Sequence, residues 1–200
     1  WRDRVRVVAS IMMPIGFLLF GSGLSSIVGN LASGVFGPEV NFLQFLFPGV
    51  LGLSVFFVSI FSGVSVIWDR EFGFLKEILI APISRTVVAL GKIAGGATIA
   101  MIQSSILLAI APFIGLNLSF MIVVKLWFLM LLIAFSLTAF GVLIGSLVRT
   151  TEAHQMISYS LIAPMALLSG AYFPLKNLPF WMEFLVRLNP FTYAVDALRQ

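Results

Sequence analysis

The chain has 200 residues, of which 60% are hydrophobic and only 10% charged, with a formal net charge of +4 and no cysteine. A soluble domain carries nearer roughly a quarter charged residues, so this composition excludes an ordinary soluble fold and places the chain among multi-pass membrane proteins. Without cysteine there is no disulfide, thiolate metal site or cysteine nucleophile.

Five apolar runs follow one another, near residues 5–27, 42–67, 87–114, 126–148 and 156–172. Crossing about 30 Å of hydrocarbon takes roughly 20 helical residues, so each run is expected to span, the last and shortest as a broken or tilted helix. The first run has no small-residue cleavage site after it and does not read as a signal peptide. The chain opens on Trp1 rather than Met, and its natural N-terminus is expected to lie upstream.

Lys and Arg collect in cytoplasmic loops. With the N-terminus inside, the inner segments hold Arg2, Arg4, Arg6, Arg70, Lys76, Arg85, Lys92 and Arg149, eight in all, against three outside, Lys125, Lys176 and Arg187. The N-terminus is therefore expected in the cytoplasm and the 29–41 loop outside. Gly91 and Gly95 form a GxxxG pattern as the third span begins, and Gly141 and Gly145 form another in the fourth. Such spacing lets helix backbones approach closely, and packing within one subunit is the expected use of both.

Between the second and third spans lies the densest group of charges, in WDREFGFLKEILIAPISRTVVALGK, residues 68–92. Phe72, Leu75, Ile78 and Leu79 recur at helical spacing, which predicts a short amphipathic helix over 70–81. Arg70, Gly73, Lys76 and Glu77 lie off that apolar face. Neither Arg70 nor Lys76 has a carboxylate three or four residues away, so these charges are expected to be free for lipid headgroups or a partner protein. Pro82 stops the helix, and Ser84 is a fitting N-cap for the next. A helix floating on the inner leaflet and a docking surface fit this pattern almost equally well.

His154, the only histidine, falls in the short loop 149–155 and is expected to be solvated there. The tail after the fifth span holds Pro174 and Pro179, then an apolar-faced helix over 180–188, the Asn189-Pro190 step and a second helix starting near Thr192. With Trp181, Phe191 and Tyr193 suited to headgroup level, both helices are expected in or dipping into the outer leaflet. An odd number of spans calls for a sixth after residue 200.

The absences narrow the function. There is no G-x-x-x-x-G-K-[ST] phosphate loop, no H-E-x-x-H and no catalytic Ser/His/Asp set. The five runs carry no ionisable residue away from their ends. Only weakly polar groups such as Gln103, Ser104, Ser105, Ser136 and Thr138 sit at depth, which disfavours a proton- or sodium-coupled carrier. Energy for any transport must then come from another polypeptide, and this favours docking over floating.

The residues of 69–92, DREFGFLKEILIAPISRTVVALGK, resemble the first cytoplasmic loop of permease subunits of type-2 ABC exporters, the drug-, antibiotic-resistance and polysaccharide-exporting permeases. The run LLSGAYFPLKNLPFWMEFLVRLNPFTYAVDALR, 167–199, is similar to the segment after the fifth span in that family, and its "FP…LP.W" with "NP.TY..DALR" is the more specific match. The resemblance covers essentially the whole chain. It implies an all-α, polytopic transmembrane helical bundle with six spans, of which five are present here. It also implies a plasma-membrane permease whose two subunits, alike or different, form the translocation path. A separate ABC ATPase subunit would bind ATP and Mg, so this chain itself would carry no cofactor and catalyse nothing. The family's coupling helix would fall on Arg70, Glu71, Phe72, Gly73, Leu75, Lys76, Glu77, Ile78 and Leu79, with 149–155 a second contact. The other expected partner is membrane lipid, with no nucleic acid. Alternatives are an ion-gradient-driven carrier or channel and a non-transporting membrane scaffold. The cargo is not encoded in any pattern here, since Phe17, Phe20, Phe56, Phe57 and Phe61 suit packing or lipid as well as a hydrophobic substrate.

Overall fold

The computed structural model describes residues 12, 14–16, 19, 42–74, 83–114, 116, 119–172 and 179–199. Among them every regular element is a helix. In chain order these are α1 (Phe42–Phe61), α2 (Val64–Glu71), α3 (Arg85–Ile110), α4 (Phe120–Leu147), α5 (Thr151–Leu168), α6 (Phe180–Leu188) and α7 (Pro190–Arg199), with a 3-10 turn, Ala111–Ile114, prolonging α3. The fold is an all-α membrane bundle. Three stretches, Phe45–Glu71, Arg85–Phe113 and Phe120–Leu147, are long and apolar enough to cross a membrane. The 28 residues of α4 alone reach about 42 Å at 1.5 Å per residue. The first predicted span lies almost wholly outside the described residues. Of the five described there, Ile15 packs on the core.

The helix ends follow from local chemistry. Ser84 caps α3 by accepting from the Val87 amide at 3.4 Å. Thr150 does the same for Ala153 at 3.3 Å, and this starts α5 at Thr151 rather than near 156. That extra turn draws His154 out of the expected loop and into a helix. The second predicted span divides. Between α1 and α2 the bonds tighten from Ser62 N–Val58 O to Gly63 N–Ile60 O, Ser65 N–Ser62 O and Val66 N–Gly63 O, at 3.0 to 3.2 Å. A 3-10 step of this kind inside a long helix is a common hinge.

The central helix is α1, with Leu46, Phe47, Val50, Leu51, Val55, Phe56 and Ile60 all buried. Against it pack α3, α4 and α7. The outer face of α4 leaves Phe128, Leu132, Phe135, Leu143 and Leu147 exposed, an apolar surface suited to lipid or to another subunit. Between α3 and α4 runs an open apolar groove of about 540 Å³, lined among others by Met101, Ile102, Ile106 and Leu131. At one side of it the Trp127 indole N–H donates to Ser105 Oγ at 3.2 Å.

The tail departs from two interfacial helices. In α6, Phe180, Trp181, Phe184 and Leu188 are exposed, as a lipid-facing helix requires. By contrast α7 enters the bundle: Phe191, Thr192, Val195 and Leu198 are buried. Asn189 turns the chain between them. Its Oδ1 accepts from Phe191 N at 3.1 Å, capping α7 with Pro190 at the first helical position, and its Nδ2 donates to Met165 O at 2.8 Å. From there α7 runs back along α5. Thr192 Oγ1 donates to Leu168 O, and Arg199 donates to Gly170 O at 2.7 Å. Its guanidinium also stacks over Phe45 at 3.9 Å. The pair α6–α7 is therefore a re-entrant hairpin that returns to the end of the bundle at which α5 finishes.

Candidate functional site

At the opposite end, α2 projects beyond the body of α1 and carries the start of the charged stretch. Three neighbours hold it. On α3, Lys92 pairs with Asp69 at 2.5 Å, with both side chains largely covered. On α4, the last carbonyls have no helical partner, and Arg70 supplies one: its two terminal nitrogens donate to Val148 O at 2.9 Å and Ser146 O at 3.0 Å. On α5, His154 lies fully buried against the α1–α2 break, its Nδ1 3.3 Å from Ser158 Oγ. A methyl group on Gly63 would sit 2.9 Å from His154 Nε2.

The break itself is a backbone-on-backbone contact. Gly141 of α4 faces Ser59 and Ile60, so an added methyl would meet the Ile60 carbonyl at 2.5 Å. One turn on, a methyl at Gly145 would overlap the Gly63 carbonyl outright. Only glycine allows α4 to approach this closely, as small-residue spacing predicts. The other motif behaves differently. Gly91 and Gly95 look into open space, and it is their neighbour Gly96 that packs, on Ser62 and Thr138. The reason is register. Gly96 is turned toward α1 and α4, while 91 and 95 lie on the outer face of α3.

The predicted 70–81 helix is corrected at its start. Arg70 and Glu71 close α2, Phe72 caps it, and Gly73 follows with φ +80°. That left-handed conformation is one that side-chain-bearing residues rarely adopt, so no continuous helix runs from 70 through 73. Arg70 is not a free charge, since two carbonyls more than 70 residues away in sequence hold it. Glu71 and Phe72 are exposed, as are Trp68, Phe74 and Ile83. Leu75, Lys76, Glu77, Ile78 and Leu79 lie outside the described residues.

Sequence reading missed His154, Gly63 and the Asp69–Lys92 pair. The sign for His154 was available. His154, Ser158, Ile162 and Ala166 recur every four residues and are the buried stripe of α5, but the stripe becomes visible only once Thr150 is taken as the cap. Replacing Arg70 by Met is expected to cost about 1 kcal/mol, the usual worth of a partly exposed cation at a helix C-terminus. It would be read as a lower Tm of the purified protein. Arg70→Lys should recover only part of it, because the ammonium is a compact, strongly hydrated point charge without the preorganised planar fork of a guanidinium.

So the described site is a short helical rod, fastened to three others and ending in exposed aromatics, on a bundle with no ionisable cluster suited to hold a metal among the described residues. Against protein families, the model for the ABC-2 type transporter matches residues 1–200. The chain belongs to the ABC-2 type transporter family. Among curated relatives it is 29% identical over 201 residues to ycf38 of Cyanophora paradoxa, named as a transport permease, covering 99% of this chain and 68% of that one. It is 29% identical over 172 residues to YbhR of Escherichia coli K12, named as a multidrug ABC transporter permease, covering 82% and 45%. With YadH of the same strain, an inner membrane transport permease, it shares 25% over 191 residues, 94% and 72% of the two chains. The chain thus spans under half the length of YbhR and about two thirds of ycf38. No solved structure matches it. These family relations make this ABC-2 chain a transport permease of the membrane.

Proposed function

We propose that this permease is one subunit of an ATP-driven exporter, pairing with a second permease subunit to form the path and taking its energy from a separate ABC ATPase. ATP and Mg bind that partner. The charged end of the bundle is the cytoplasmic end, which the eight-to-three distribution of Lys and Arg supports, and the N-terminus lies on the same side. The observation that carries the reading is the geometry of α2. It continues the central helix, leans on α3, α4 and α5, and gives way at Gly73 to a segment flanked by Phe72 and Phe74, 72% and 57% exposed. Exposed aromatics beside charges are the composition of a protein-binding hot spot. A push on the segment from Glu71 to Leu79 would reach α2 directly, and the three fastenings would spread it to the bundle.

At membrane depth the described bundle offers serines, threonines and Gln103 rather than carboxylates, which supports an external energy source over an ion gradient. Reversing Glu71 and Lys76 together is expected to reduce permease-stimulated ATP hydrolysis by a co-expressed ATPase and to leave membrane insertion intact. Unchanged stimulation removes the docking assignment. Transport that follows an ion gradient and ignores vanadate replaces the whole reading with a secondary carrier.

A further inference from the structure

The break between α1 and α2 is lined by buried polar side chains. Ser59, Thr138 and His154 have no exposed surface; Ser59 Oγ and Thr138 Oγ1 make no hydrogen bond within the protein, and the His154 ring sits against the Gly141 carbonyl. Ser59 stands one turn before Gly63, and Thr138 one turn before Gly141. His154 places Nε2 against the Gly63 backbone. Buried polar groups at a helix crossing are costly wherever they go unpaired.

We infer that His154 is a proton-sensitive lock on this break: the neutral imidazole wedges α5 against the α1–α2 step, and the imidazolium drives the two apart. The second arrangement admits water to a cation that the closed node cannot solvate. What α2 passes on rests on its assignment as the lever, but the lock itself does not.

The surroundings set the sign. The groups that touch the ring are Ser158 on its own helix and the backbone at Gly63 and Gly141, none of which ionises. The charged side chains on the packed elements are Asp69, Arg70 and Glu71 on α2, Arg85 and Lys92 on α3, Arg149 after α4 and Glu152 on α5. Asp69 is held by Lys92, Arg70 by the end of α4, and none is bonded to the imidazole. His154 stands in the first turn of α5. Its ring is fully buried with no anionic side chain against it, so charging it carries an uncompensated desolvation cost. A buried ring that must stay neutral contributes full stability above about pH 6.5 and loses it as pH falls, by up to tenfold in the opening equilibrium per unit.

Hydrogen–deuterium exchange on the α2 amides of the permease in nanodiscs, from pH 7.5 to 5.5 and corrected for intrinsic rates, reads this directly. His154 is the chain's one histidine and the side chain that ordinarily titrates in that range. The expected result is a roughly five- to tenfold loss of α2 protection across the range in the wild type, and a flat profile in His154→Gln. His154→Asn serves as the second neutral variant should Gln disturb folding. A flat wild-type profile overturns the lock, and so does a neutral variant that keeps the wild-type slope. No ATPase is present in the measurement, so its failure leaves the docking assignment standing. Failure of the Glu71/Lys76 reversal likewise leaves the lock.

Discussion

Gly141→Ala and Gly145→Ala are each expected to destabilise the bundle by about 2–3 kcal/mol, whereas Gly91→Ala and Gly95→Ala are expected to leave it as stable or firmer. The two pairs have the same spacing and differ only in what faces them. At 141 and 145 the new methyl meets carbonyl oxygens of the α1–α2 step, at or inside 2.5 Å. Backbone cannot rotate away as a side chain can, so α4 must shift bodily, and overpacking of this kind costs about 1–3 kcal/mol. At 91 and 95 nothing lies within 4 Å of the new methyl, and alanine gains up to about 0.5–1 kcal/mol over glycine in a helix interior. Thermal unfolding in micelles separates the cases. For a chain of this size about 2–3 kcal/mol shifts Tm by roughly 4–12 °C. A loss at Gly91 or Gly95 equal to that at Gly141 would mean those glycines face a second subunit under the conditions used.

What was legible in the sequence is what depends on near neighbours. The apolar runs yield the all-α bundle because spanning needs only length and hydropathy. The start of α3 at Ser84 and the extent of α6 over 180–188 follow from capping and periodicity over a few residues. What failed depends on distant partners. Arg70 lacks a carboxylate nearby in sequence, yet it is satisfied by carbonyls at the end of α4, which charge patterning cannot count. GxxxG spacing marks a face that can pack without saying which face does, so Gly91 and Gly95 read the same as Gly141 and Gly145. Gly73 sits at an ordinary helical position in the pattern, and its positive φ becomes visible only when the chain is seen to turn there. The burial of α7 was hidden for a related reason. Aromatic residues suit a headgroup layer and a protein core alike, and only the partner Phe56 distinguishes them.

That partner defines the largest single-residue effect expected in the molecule. Phe191→Ala should cost about 3–5 kcal/mol, the range for deleting a fully buried phenylalanine. Phe191 and Phe56 both have no exposed surface, and their rings stack at 4.3 Å between centroids with 12° between planes. The aromatic pair adds about 0.5–1.5 kcal/mol beyond burial alone. Deleting one ring leaves a void at the inserted end of the hairpin, where Gly52 of α1 already lies close to Leu198, Val195 and Phe191. The rest of the hairpin is held by Asn189 on Met165 O, Thr192 on Leu168 O and Arg199 on Gly170 O. Those bonds fix α7 to α5 rather than to α1, so the variant should free the α1 side first. Limited proteolysis between residues 172 and 200 should then quicken in Phe191→Ala well before global unfolding. Phe191→Leu should keep most of the protection, since it fills much of the same volume. Phe184→Ala, on the exposed face of α6, should change neither readout. Equal sensitivity in Phe184→Ala and Phe191→Ala would place α7 on the membrane surface beside α6 and remove the re-entrant hairpin.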